Sequence, residues 1–294
     1  MVTPTTSATP TSSTPTVTRS TTATTPTEPP GTSPPEVSGY PGPSNTGVPP
    51  GSDLTMVVGD FYARTPGEVI DLKHITGSLV VQAEGVVIKR SMIDDSVISD
   101  TGSGPRSFTI TDSTVGPARC GTPTWTPNGV GFARYTAIRV HVRGHEDGFR
   151  ASGPDVTIRD SYYKACVASH DAHADGIQDY PAAQRLVVDH NTFDMADLTG
   201  GYTAPIFVYS DTTNAARITN NLAMGGVASL YLKPKNGSWV VSGNRVVDKE
   251  FAYFPYETDG LCGSNLSWSD NDVVTVDANY NVTSTVEDNV PCPR

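Results

Sequence analysis

The sequence predicts an all-β protein: a single right-handed parallel β-helix over residues 51–294, preceded by a disordered N-terminal tail over residues 1–50. Three observations predict it. A short apolar strand closed by a small polar residue recurs along the chain. The strands alternate apolar with polar positions and are rich in β-branched side chains. No stretch combines a 3.6-residue apolar period with helix caps.

Residues 1–50 hold 15 threonines and 12 of the 24 prolines, and no Leu, Ile, Phe or Trp. Their only charges are Arg19, Glu28 and Glu36. Such a stretch buries too little apolar surface to offset its ordering entropy, so an extended, semi-rigid Thr/Pro-rich linker is expected.

After it, the repeat reads VVIKRS at 86–91, SFTITDS at 107–113, DVTIRDS at 155–161, RLVVDHN at 185–191, ARITNN at 216–221 and WVVSGN at 239–244. The central apolar residues are Ile88, Ile110, Ile158, Val188, Ile218 and Val241, with Ile138 filling the long gap. The resulting period of about 20–30 residues is that of a solenoid whose repeats stack. The residues that close each strand are Ser91, Ser113, Ser161, Asn191, Asn221 and Asn244. Stacked in register, they form a ladder at a bend, and left-handed backbone is expected there.

The chain carries a net charge of −11, of which the tail supplies −1. An acidic folded part lacks the basic footprint of a nucleic-acid binder. No apolar run approaches the roughly 20 residues of a membrane-spanning helix. Met1 leads straight into polar sequence, which leaves removal of a leader, or carriage in a phage particle, as the expected routes out of the cell. Four cysteines, Cys120, Cys166, Cys262 and Cys292, point to an oxidising compartment. They allow three pairings. A Cys262–Cys292 clasp at the C-terminal end is the favoured one.

Five of the six histidines lie between 141 and 190. There His145-Glu146-Asp147-Gly148-Phe149-Arg150 is echoed 28 residues later by His173-Ala174-Asp175-Gly176-Ile177-Gln178. That offset is one coil. With coils about 4.8 Å apart, His145 is expected over His173, Asp147 over Asp175 and Arg150 over Gln178. Two carboxylates so close repel, so one titrates high, as a general acid requires. The same two His and two Asp form a candidate set for a divalent cation, Ca²⁺ or Zn²⁺. His170 and Asp171 stand nearby. If register continues, Tyr209 and Lys233 join Arg150 and Gln178 along one groove. Phe251, Tyr253, Phe254 and Tyr256 form an aromatic patch toward the C-terminus. The bland alternative is that the His-Asp-Gly ladder serves turn geometry alone.

Through the strand repeat, His-Glu-Asp-Gly and His-Ala-Asp-Gly-Ile-Gln, the chain resembles the right-handed parallel β-helix proteins of the pectin-lyase-like superfamily over about residues 50–275. Within that superfamily it looks most like secreted actinobacterial proteins and the tail proteins of phages that infect those bacteria. The resemblance implies an extracellular polysaccharide or cell-surface glycan as partner, by fold analogy. It implies cleavage by a lyase or glycoside hydrolase. Asp147, Asp175, His145 and His173 would then be the catalytic or metal-holding groups, and Arg150, Gln178, Tyr209 and Lys233 the substrate contacts. The polygalacturonase type carries an Asp-Asp pair and a Gly-His-Gly stretch that this sequence lacks. The pectate-lyase type carries a calcium-binding acidic cluster without a clear match here, although Lys233 or Arg150 stands as a candidate base. The alternative is a non-catalytic glycan- or cell-wall-binding module, such as part of a phage tail or an adhesin.

Overall fold

The computed structural model describes residues 1, 39–99, 102, 104–124, 126–167 and 171–294. The expected linker therefore lies mostly outside the described residues. Those from 39 onward form a parallel β-helix. Each coil contributes one short strand to each of three sheets, in strict rotation. The first sheet has eleven strands, from Thr55–Val57 to Val282–Glu287, and the second and third have nine each. Among the described residues every pairing is parallel except the last, where Val282–Glu287 folds back antiparallel on Asp272–Val276.

Alternation along each strand puts one side chain in and the next out. In the third sheet the inward residues Ile88, Ile110, Ala137, Ile158, Val188, Ile218 and Val241 stack in register and are wholly buried. Ala137 replaces the expected Ile138. The buried ring of Tyr135 stacks on Phe108 at 5.3 Å and fixes which positions point inward. The next inward position is then two residues on, at Ala137, and Ile138 turns out.

The ladder forms as expected and gains a rung at Asn271. Asn191 Nδ2 donates to Asn221 Oδ1 (3.0 Å), Asn221 to Asn244 (3.0 Å) and Asn244 to Asn271 (2.9 Å). The same Oδ1 atoms accept the backbone N–H of the ladder residue one coil earlier. The left-handed residue is not the ladder residue but the one before it: Arg90, Asp112, Asp160, His190 and Asn220 all have φ between 46° and 57°. The bend's polar outer residue takes the strained backbone and pairs on the surface, as Arg139 does with Asp112 (2.6 Å) and His190 with Asp160 (2.6 Å).

The first strand of the solenoid is Thr55–Val57, but the packed chain begins before it. Residues 39–50, assigned to the linker, pack along the coils. Gly47 N donates to Arg139 O (2.9 Å), Val48 N to Thr114 Oγ1 (3.1 Å), and Tyr40 stacks on His190 at 5.8 Å. Gly47 sits at φ +80°, where a Cβ would meet Thr114 Oγ1 at 2.6 Å and His141 Cβ at 2.9 Å. Two disulfides, Cys120–Cys166 and Cys262–Cys292, use all four cysteines. The second is the favoured C-terminal clasp.

Replacing Asn221 by Ala strands its neighbours' buried donors and acceptors at once. A loss of about 3–5 kcal/mol is expected, from several unsatisfied groups at roughly 1–3 kcal/mol each. Ser113→Ala, with fewer partners, should cost less. Urea and thermal midpoints check this; a loss under about 1 kcal/mol for Asn221→Ala would mean that the bend stands without its amide.

Candidate functional site

Asp147–Arg150 and Ala174–Gln178 are neighbouring strands of the second sheet, with Phe149 opposite Ile177 and Arg150 opposite Gln178. The aspartates sit where the first sheet turns into the second. Asp175 N donates to Asp147 Oδ1 (3.1 Å), and Ala204 N donates to Asp175 Oδ1 (3.0 Å). Each carboxyl thus ties its coil to the next. Gln178 Nε2 closes over Asp175 Oδ2 at 3.1 Å. The glycines have a packing cause. A Cβ on Gly148 would meet Gly176 O at 2.6 Å and the Tyr163 ring at 2.9 Å, and one on Gly176 would meet Pro205 O at 2.2 Å.

Asp147 is 4% exposed and Asp175 1%. Burial raises both: Asp147 is pushed up to about 7, and Asp175 goes well above the usual carboxylate range, with the Asp147 charge adding to the effect. Arg150 reaches Tyr180 O (2.7 Å) and Ser152 Oγ (2.9 Å) through Nε. Burial lowers its pKa, while Asp147, Asp175 and Asp179 oppose that change. Burial thus favours the protonated form of both carboxyls, and Gln178 shields Asp175.

The histidines do not stack. His145 is 1% exposed; its Nε2 donates to Asp95 O (3.2 Å), and its Nδ1 finds no hydrogen-bond partner among the described residues. Burial lowers its pKa. His173 is exposed, with its backbone N on Glu146 Oε1 (3.2 Å). The cause is the segment after Lys164. Cys166 N pairs with His145 O, so the chain leaves register there and regains it only around Ala174 and Asp175. His170 lies outside the described residues.

A cation site built from His145, Asp147, His173 and Asp175 does not fit this geometry. One imidazole is sealed against a carbonyl, the other stands at the surface, and one oxygen of each carboxyl accepts a backbone amide. Among the described residues no group of three or more His, Cys, Asp or Glu converges as a metal site.

Tyr209 and Lys233 share the outer face with Arg150 and Gln178 but lie two positions further along. The residues in register with Gln178 are Phe207, Tyr231 and then Glu257. Aligning the inward apolar residues Phe149, Ile177, Ile206 and Leu230 would have found them, because each precedes an outward residue of this row. Phe207, Tyr209 and Tyr231 form a contiguous aromatic surface, with Tyr209 and Tyr231 centroids 4.5 Å apart and Phe207 5.6 Å from each. Lys233 Nζ lies 4.6 Å from the Tyr209 centroid and pairs with Asp211 (2.8 Å) and Asp259 (3.5 Å). Asp211 raises the Lys233 pKa, the opposite of what a proton-abstracting lysine needs. Of the C-terminal aromatic patch, Tyr253 and Phe254 are exposed. Tyr256 is core, its hydroxyl donating to Asn244 O (3.1 Å) and Asp272 O (2.9 Å).

Compared with protein-family models, curated proteins and solved structures, the chain matches none.

A carboxyl whose folded pKa lies above its unfolded one binds its proton more tightly in the native state, so stability falls as pH rises. For Asp147 the loss runs from about pH 4 to about pH 7 and persists above, up to a few kcal/mol. Asp147→Asn keeps the oxygen that caps Asp175 but carries no charge. It should melt higher than the parent at pH 8 and converge with it near pH 4, by calorimetry. A lower melting point at pH 8 would mean that the ionised carboxylate is the stabilising form.

Proposed function

We propose that the protein is an extracellular polysaccharide-active β-helix that seats a glycan along the outer face of its second sheet. The observation that carries this reading is the Phe207–Tyr209–Tyr231 surface, bordered by Arg150, Gln178 and Lys233. Aromatic rings half-buried on a rigid sheet offer flat apolar area at little entropic cost, with hydrogen-bonding groups at the edge to orient hydroxyls. Two disulfides suit an oxidising, extracellular setting. The resemblance to the pectin-lyase-like superfamily agrees with a carbohydrate partner, as does a role in an adhesin or phage tail.

Binding stands ahead of cleavage in this proposal, because both carboxyls are buried and Gln178 lies on Asp175. The cleavage reading rests on two buried carboxyls one coil apart, whose burial favours their protonated forms. If Gln178 swings aside, one carboxyl of the pair serves as proton donor to the leaving oxygen, and the other, when ionised, as the base or nucleophile.

Affinity electrophoresis of the full chain through bacterial and plant polysaccharides tests the reading. Tyr209→Ala and Tyr231→Ala should each weaken retardation by about tenfold, near 1.4 kcal/mol, with unchanged melting. Parallel assays of reducing ends and of absorbance near 235 nm separate hydrolysis, elimination and binding alone. Retardation indifferent to both substitutions sinks the proposed face.

A further inference from the structure

The charges around the aromatic surface point to one class of glycan. Lys233 is the cation nearest the rings, and it lies beneath its own counter-ions. Its side chain is 20% exposed, whereas Asp211 and Asp259, which bracket it, are 58% and 48% exposed. Lys235 also turns to Asp211, at 3.6 Å. Arg150 is tied to Tyr180 O and Ser152 Oγ. Glu257 follows Tyr231 in the same row and accepts Asp259 N at 2.7 Å. A carboxylated sugar laid on Tyr209 and Tyr231 would meet Asp211, Asp259 and Glu257 before any unpaired cation. The chain's net charge of −11 has the same sign. A neutral sugar meets what it needs: ring faces for its C–H surface and carboxylate oxygens to accept its hydroxyl protons.

We infer that this face recognises an uncharged glycan rather than a polyuronate. The inference rests on the glycan-binding reading above and narrows it. It also has a chemical consequence. Elimination removes a proton made acidic by an adjacent carboxylate, and a neutral sugar has none. Any cleavage at this face is then hydrolysis: the glycosidic C–O bond breaks, water supplies hydroxyl to the anomeric carbon, and a proton goes to the leaving oxygen.

The test uses the full chain in affinity electrophoresis and titration calorimetry. Neutral glucans, galactans and mannans are set against polygalacturonate and alginate, at low and raised salt. The wild type should bind at least one neutral polymer with little salt dependence, bind neither polyuronate, and release no product absorbing near 235 nm. Asp211→Asn with Asp259→Asn uncovers Lys233 and should raise polyuronate affinity at least about tenfold at low salt, with that gain lost at raised salt. Tighter wild-type binding to a polyuronate than to every neutral polymer overturns the inference and leaves the glycan-binding reading standing. Failure to bind any polymer, with the melting transition intact, overturns both.

Discussion

Every coil must turn from the third sheet back into the first at the same place, and in most coils a buried amide or hydroxyl fixes that turn. A parallel solenoid has no hairpins to set register. The register is set instead by the Ser/Asn column from Ser91 to Asn271, whose side chains close the backbone of the coil before. Asn does this better than Ser, because one amide donates to a carbonyl and to the next amide while its oxygen accepts twice. The column is accordingly Ser in the early coils and Asn from 191 onward. Val140 interrupts it with an apolar side chain, and there its backbone N donates to Ser161 Oγ. Once this corner is fixed, alternation decides which residues of each strand enter the core.

The Asp147–Asp175 column applies the same device at another corner, with a different chemical result. An amide at such a position is neutral and has no proton to lose. A carboxyl in the same setting accepts one backbone N–H and is then desolvated, so its neutral form is favoured. Structural capping and proton storage are thus not competing accounts of these residues, because the burial that makes a good cap raises the pKa. What separates a cap from a catalytic group is access, and burial together with the Gln178 contact restricts it.

The fold was legible because its signals are local and repeated: strand alternation, the closing Ser or Asn, and the Cys262–Cys292 pair near one end. The Arg150–Gln178 register was legible because two near-identical hexapeptides lie one coil apart. What failed were inferences that assumed register without counting insertions. His145 and His173 match in sequence, yet the detour after Lys164 separates them. Tyr209 and Lys233 were projected two positions off, because the alignment followed polar ends instead of inward apolar residues. Ile138 looked like a core residue only until the Tyr135 ring claimed the inward parity. The linker boundary was missed because Pro and Gly dominate residues 39–50, and nothing local announces that Tyr40 finds His190 or that Gly47 fits against Thr114.

A solenoid also constrains what its surface can recognise. Outward residues of successive coils repeat at the spacing of hydrogen-bonded strands, about 4.8 Å, along a straight axis. A row such as Arg150, Gln178, Phe207, Tyr231 and Glu257 is therefore an array of sites rather than a pocket, and it suits an extended ligand with its own short repeat. Composition along the row then decides where such a ligand rests. Arg150 and Gln178 stand at the end nearer the buried carboxyls, the rings lie in the middle, and Glu257, with Asp259 beside it, lies at the other end. Binding at the rings leaves the Asp147 coil two strands away, so a chain long enough to span both is the one that would press on Arg150 and Gln178. Under the proposed reading, ligand length, more than the identity of any single sugar, governs whether the buried carboxyls are ever reached.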